Sequence, residues 1–294
     1  MEQKITGFGY QRIAVADGVA LNVAVGGSGS PVVLLHGFPQ THLAWRHVAA
    51  DLAADHFVIC PDLRGYGGSD KPASTSAGVY AKRTMAADIV ALARLLGHER
   101  FAVAGHDRGG RGRPAVRAGL DHPGVITHLA ALDVLPVLDT WEAMRGTSAV
   151  RGFHLFLMAQ PPGLPETMIA SAADAFFGHF LDIWARVPDA IPAGIRSAYL
   201  TASREAVRSI VADYRASATI DVEHDEAARL AGNRLEMPVT VLQQDLGPAF
   251  GSVFARSWQA WAPDLEHATL GCGHFLPEEA PAEVAKALRS LLAR

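Results

Sequence analysis

The chain predicts an α/β fold, a mostly parallel sheet flanked by helices, with a helical insertion after the sixth strand. Three patterns predict it. Apolar strand-like runs alternate with helix-like segments up to about residue 135. From about 136 to 213 only helical stretches appear, broken by prolines. Beyond 238 the strand-and-helix alternation resumes. Such alternation gives a parallel sheet covered on both faces.

Taken in order, Ile13-Ala14-Val15 and Leu21-Asn22-Val23-Ala24-Val25 flank Asp17-Gly18, a hairpin signal. Pro31 to Leu35, Phe57 to Cys60, Phe101 to Ala104 and Leu129 to Leu132 read as buried strands. Trp45 to Ala54 and Thr84 to Leu96 carry helical spacing between them. The insertion is interrupted at Gln160-Pro161-Pro162-Gly163-Leu164-Pro165 and at Pro188 and Pro192. The sheet returns at Pro238 to Leu242, with a last strand near Ala268-Thr269-Leu270 and a helix from Pro281 to Leu292. The expected division is a core of 1–135 and 214–294 and a cap of 136–213.

Composition narrows the function classes. The 294 residues suit one large domain or one domain plus an insertion. Net charge is -4 with no Lys/Arg run, so neither nucleic acid nor an acidic membrane surface is expected as a partner. Cys60 and Cys272 are too few for a disulfide framework and read as buried thiols. The N-terminus lacks an apolar signal core, which makes a soluble cytoplasmic protein the expectation. The 13 histidines show no HExxH or Cys/His ligand spacing, so no metal is expected.

The chemistry centres on Gly105-His106-Asp107-Arg108-Gly109-Gly110-Arg111. A strand, a tight glycine turn and a helix start form a nucleophile elbow, with Asp107 where Ser or Cys would stand. A carboxylate can displace a leaving group from saturated carbon and become an ester. Arg108 and Arg111 are three apart, so on a helix they share a face at its N-terminus, a site for an anion. In hydrolases with this elbow, the loop after the third strand and the residue after the nucleophile supply the oxyanion hole. Here those backbone N–H groups belong to Phe38, in His36-Gly37-Phe38-Pro39-Gln40, and Arg108. His274, in Gly271-Cys272-Gly273-His274-Phe275, is the expected base, and Asp133, at a strand end, the acid that orients it. Asp245, after a late strand, is the rival acid.

At these residues the chain resembles the α/β-hydrolase-fold haloacetate dehalogenases of the fluoroacetate dehalogenase type. The matching stretches include His36 to His42, Asp62-Leu63-Arg64-Gly65-Tyr66-Gly67, the Asp107 elbow, Leu132 to Pro136, Gln160-Pro161, Asp213-Tyr214-Arg215-Ala216 and Gly273 to Glu278. The resemblance implies an α/β-hydrolase fold and hydrolysis of a short 2-halo carboxylate to the 2-hydroxy acid, with no cofactor. Arg108 and Arg111 would hold the carboxylate, and His154 and Tyr214 the departing halide. Trp184 would line the path, and a homodimer would form through the cap. Related epoxide hydrolases usually carry Trp after the nucleophile; an epoxide hydrolase or a non-catalytic ligand-binding member are the alternatives.

Two departures from that pattern stand out. A halide-donating Trp of the family is Leu155 here, which removes a donor and favours chloro- or bromoacetate over fluoroacetate. After Arg111, Gly112-Arg113-Pro114 stands where the family helix runs without proline, which predicts a kink or bulge. Arg113 could then compete for the substrate carboxylate.

Overall fold

The computed structural model describes residues 3–74, 76–107 and 113–294, with side chains throughout except at 248–253. Eight strands form one sheet: β1 (Gly9–Ala16), β2 (Val19–Gly26), β3 (Ser30–Leu35), β4 (His56–Pro61), β5 (Phe101–His106), β6 (Ile126–Leu132), β7 (Val239–Gln244) and β8 (Leu265–Leu270). Their order is β1-β2-β4-β3-β5-β6-β7-β8. β1 and β2 form the predicted hairpin across Asp17-Gly18, where Gly18 takes φ +69°, a value open to glycine. β2 also runs antiparallel to β4, and every pairing from β4 to β8 is parallel.

Alternation along the central strands divides the core into two layers. Val33, Leu35, Val103, Leu129 and Ala131 face one hydrophobic cluster, while Val32, Leu34, Ala104, Ala130 and Leu132 face the other. Both faces are therefore covered, which is why these strands read as continuous apolar runs.

Between β6 and β7 the described chain is helical, from Val137–Ala143 to Ile220–Leu230. The predicted breaks hold: Gly163, at φ +110°, precedes the Leu164–Ser171 helix, and Pro188 and Pro192 lie between the helices Ala173–Trp184 and Ala193–Glu205. The expected cap boundary at 213/214 falls inside one helix, Val207–Ser217.

The described part of the helix after the elbow runs Arg113–Asp121 and contains Pro114. Gly112 lies outside the described residues.

Candidate active site

β5 delivers Asp107 to the carboxyl edge of the sheet, where open α/β sheets place their ligands. Asp107 has φ +99°, rare for a residue with a side chain, and its N–H donates to Leu132 O at 3.0 Å. Gly37 allows the neighbouring loop to come close. A Cβ there would lie 2.5 Å from His106 Nδ1 and 2.7 Å from Asp107 Cβ. The next residue, Phe38, donates its N–H to Asp107 Oδ2 at 3.0 Å. That places one oxyanion-loop donor on the carboxylate itself. Arg108 and Arg111 lie outside the described residues.

His274 stands between two carboxylates. Its Nε2 donates to Asp107 Oδ1 at 3.0 Å and its Nδ1 to Asp133 Oδ2 at 2.6 Å. All three side chains are buried. Burial opposes the imidazolium, but hydrogen bonds and charge attraction from Asp107 and Asp133 outweigh it and raise the His274 pKa to about 9. Asp133 has φ +47° at the end of β6 and also accepts from Gln244 Nε2 at 2.7 Å. The rival Asp245 is exposed and accepts from Gly247 N at 2.8 Å. His36 is structural: its Nε2 accepts from Leu63 N at 3.1 Å and its Nδ1 donates to Gly37 O at 3.0 Å.

The predicted cap residues His154 and Trp184 converge with Tyr214 above Asp107. The His154 ring stacks on Phe38 at 6.0 Å and lies 5.8 Å from Tyr214 and 5.3 Å from Trp184. Trp184 meets the His274 ring edge-on at 4.9 Å. Phe177 and Phe180 close the apolar side against Phe38. Burial depresses the His154 pKa to about 3, so the ring is neutral near pH 7, and its Nδ1 has no hydrogen-bond partner among the described residues. Leu155 is buried on the same helix, with a δ-methyl over Gly152 beside the Met144 sulfur.

Some quoted motifs act as braces. Arg215 donates to Gln160 O at 2.7 Å and to Glu166 Oε1 at 2.8 Å, tying the Tyr214 helix to the Gln160-Pro161 turn. Arg64 pairs with Asp88 through two bonds of 2.6 Å.

The sequence reading missed Gln244, which lies two positions beyond the expected end of β7. It left Arg113 open. That side chain is 1% exposed and donates to Leu135 O at 3.1 Å and Ser217 Oγ at 2.9 Å. It thus spans the loop after Asp133 and the helix of Tyr214. Its Nη2 has no hydrogen-bond partner among the described residues. Among the described residues no cluster of His, Cys, Asp or Glu is arranged to hold a metal ion, and no helix is long and apolar enough to cross a membrane.

An eight-stranded sheet with Asp107 after β5, Asp133 after β6 and a late His274 bonded to both is the arrangement of an α/β hydrolase. The chain belongs to the alpha/beta hydrolase fold family, whose model matches residues 30–281. It is 38% identical over 293 residues to a fluoroacetate dehalogenase from Burkholderia sp, covering 97% of this chain and 94% of that protein. It is 31% identical over 290 residues to a soluble epoxide hydrolase from Corynebacterium sp. (strain C12), covering 91% of this chain and 92% of that protein. A solved structure of a candidate alpha/beta hydrolase from Nostoc sp PCC 7120 matches with a TM-score of 0.93 at 36% identity, over 98% of this chain and 99% of the other.

Proposed function

We propose that this hydrolase is a dehalogenase that converts a short 2-halo carboxylate into the 2-hydroxy acid and halide. The observation that carries the reading is the Asp107 carboxylate in the nucleophile position, bonded to both Phe38 N–H and His274. Asp107 attacks the α-carbon in line and the carbon–halogen bond breaks, leaving an aspartyl ester and free halide. The ester carries no charge, so His274 keeps one carboxylate neighbour and releases its extra proton to solvent. Neutral His274 then takes a proton from water as the hydroxide attacks the Asp107 carbonyl, with Phe38 N–H on the oxyanion. Collapse breaks the carbonyl–alkoxide bond, and His274 protonates the leaving alkoxide. The carboxyl proton of Asp107 returns to His274. Overall, halide, 2-hydroxy acid and one proton form from substrate and water.

Arg108, Arg111 and Arg113 are the cations available for the substrate carboxylate, and His154 and Tyr214 the donors for the halide. The cap is assigned to 136–213, and a homodimer through it is part of the proposal. Loss of the Leu155 donor favours chloride and bromide over fluoride, the most strongly hydrated of the three. A second reading, an epoxide hydrolase, is favoured by the same His154–Tyr214 pair, because two donors could hold an epoxide oxygen. Chloroacetate and styrene oxide separate the two. Chloride release without diol supports the dehalogenase, diol without chloride the epoxide hydrolase, and neither product a non-catalytic binding role.

A further inference from the structure

We propose that Glu279 is a positioning residue that locks the cap segment bearing Trp184 to the loop bearing His274, an inference that rests on the aspartyl-ester reading. Glu279 follows His274 by five positions, in the short Leu276–Glu279 helix, and its side chain turns back on both structures. Oε2 accepts from Arg186 N at 2.8 Å, Val187 N at 2.9 Å and Gly273 N at 2.9 Å. Oε1 accepts from Phe275 N at 2.9 Å. One carboxylate therefore takes four backbone N–H groups. Two flank His274, and two begin the chain that leaves the Ala173–Trp184 helix.

The same junction is joined once more without Glu279. His274 N donates to Trp184 O at 2.9 Å, so the histidine backbone rests on the last residue of the cap helix. Gly273 is the residue this closeness demands. A Cβ on it would lie 2.5 Å from Trp184 O, 2.6 Å from Glu279 Oε1 and 2.7 Å from Arg186 N. The Trp184 and His274 rings then meet at 4.9 Å. Carboxylate bonds to backbone N–H are charge-assisted and stronger than neutral ones. Glu279 thus fixes the base and one wall of the substrate path against each other, without touching the reacting atoms.

The consequence is specific to one step. Ester formation needs Asp107, whereas ester hydrolysis also needs His274 aimed at a water. Misplacement of a catalytic group by about 1 Å can cost on the order of 100-fold. Glu279→Gln sets an amide N–H₂ against backbone donors. It is expected to slow ester hydrolysis by about 10- to 100-fold while the single-turnover halide burst from chloroacetate changes by less than about threefold. Arg186→Pro removes one of the four donors and leaves Glu279 in place. The preceding Ala185, at φ -73° and ψ 141°, already has the backbone that proline requires of its neighbour. Arg186→Ala controls for loss of the side chain. The proline variant should share the hydrolysis defect and the alanine variant should not.

Equal loss in both steps, wild-type hydrolysis in a folded Glu279→Gln protein, or identical behaviour of the proline and alanine variants would overturn the proposal. A second readout needs no turnover. The proton shared by His274 Nδ1 and Asp133 should exchange with water at least about 10-fold faster in Glu279→Gln and Arg186→Pro, measured by NMR on the resting enzyme. Unchanged exchange also overturns it. Wild-type protein that forms no ester with chloroacetate would instead sink the dehalogenase reading, and the exchange measurement would still decide on Glu279.

Discussion

Replacing Arg113 by Met tests the proposed recognition of a charged substrate. The guanidinium is buried, and burial lowers its pKa from the ordinary arginine value. It donates only to a carbonyl and a hydroxyl, with no carboxylate bonded to it among the described residues. A cation left in that state is costly to bury. Replacing it with an apolar side chain of similar length removes the desolvation cost along with two hydrogen bonds, and the balance should lie within about 1–2 kcal/mol of zero. Substrate binding should respond quite differently. If Nη2 meets the carboxylate, one charge-assisted bond of about 1.5–3 kcal/mol is lost. That corresponds to about 10- to 150-fold in kcat/KM for chloroacetate. Chloroacetamide is the control, since it offers the same carbon–chlorine bond without the charge. Chloride release across a concentration series measures both. Thermal melting checks that Arg113→Met is folded. A similar loss for acid and amide, or no loss for the acid, would refute the assignment and leave the carboxylate to Arg108 and Arg111.

His274→Gln should stop the reaction at the ester, giving about one equivalent of chloride per enzyme and a mass adduct on Asp107; steady turnover would show that His274 is not the base. The folded His274 pKa of about 9 lies above its ordinary 6.5, so its contribution to stability is complete below pH 6.5 and is lost as pH rises through about 9. Urea unfolding should show the wild type losing stability over that window relative to His274→Gln, and parallel curves would refute the coupling. Leu155→Trp should raise the ratio of fluoroacetate to chloroacetate turnover about 10-fold or more by restoring a donor worth roughly 1.5–3 kcal/mol. An unchanged ratio in a folded variant would remove Leu155 from the account of halide preference.

Most of the fold was legible because its strands are buried on both faces. Runs such as Val32 to Leu35 and Val103 to Ala104 have no polar alternation to blur them. The residues proposed as nucleophile, acid and base stand out for a related reason: Asp107 and Asp133 each follow a strand, and His274 follows a glycine. What escaped was recognition that depends on reach. Gln244 looks like the tail of a strand, and only the pairing of β6 with β7 sets its amide on Asp133. Glu279 looks like an ordinary helix-start carboxylate, because its partners are backbone groups more than ninety residues away as well as nearby. Backbone donors have no signature in a sequence.

The electrostatics of the three central residues suggest why two acids flank one histidine. Before reaction, Asp107 and Asp133 together hold His274 as an imidazolium, which donates to both. A base that is already protonated cannot activate water, so resting Asp107 is not exposed to hydroxide chemistry. Under the proposed mechanism, alkylation then changes the charge of one partner only. Asp107 becomes a neutral ester, while Asp133, buried and braced by Gln244, keeps its negative charge. The support for the second proton falls at the moment when a free Nε2 is required. A single acceptor would give less contrast between these two states, because the histidine would feel the same neighbour before and after. On this reasoning the nucleophile is also the switch for its own hydrolysis. Asp107→Asn mimics the uncharged ester without any substrate, and it should lower the His274 pKa well below about 9 while leaving the Asp133 bond intact. An NMR titration of the imidazole carbon protons reads this directly, and an unchanged value in the variant would show that Asp133 alone sets the charge of the base.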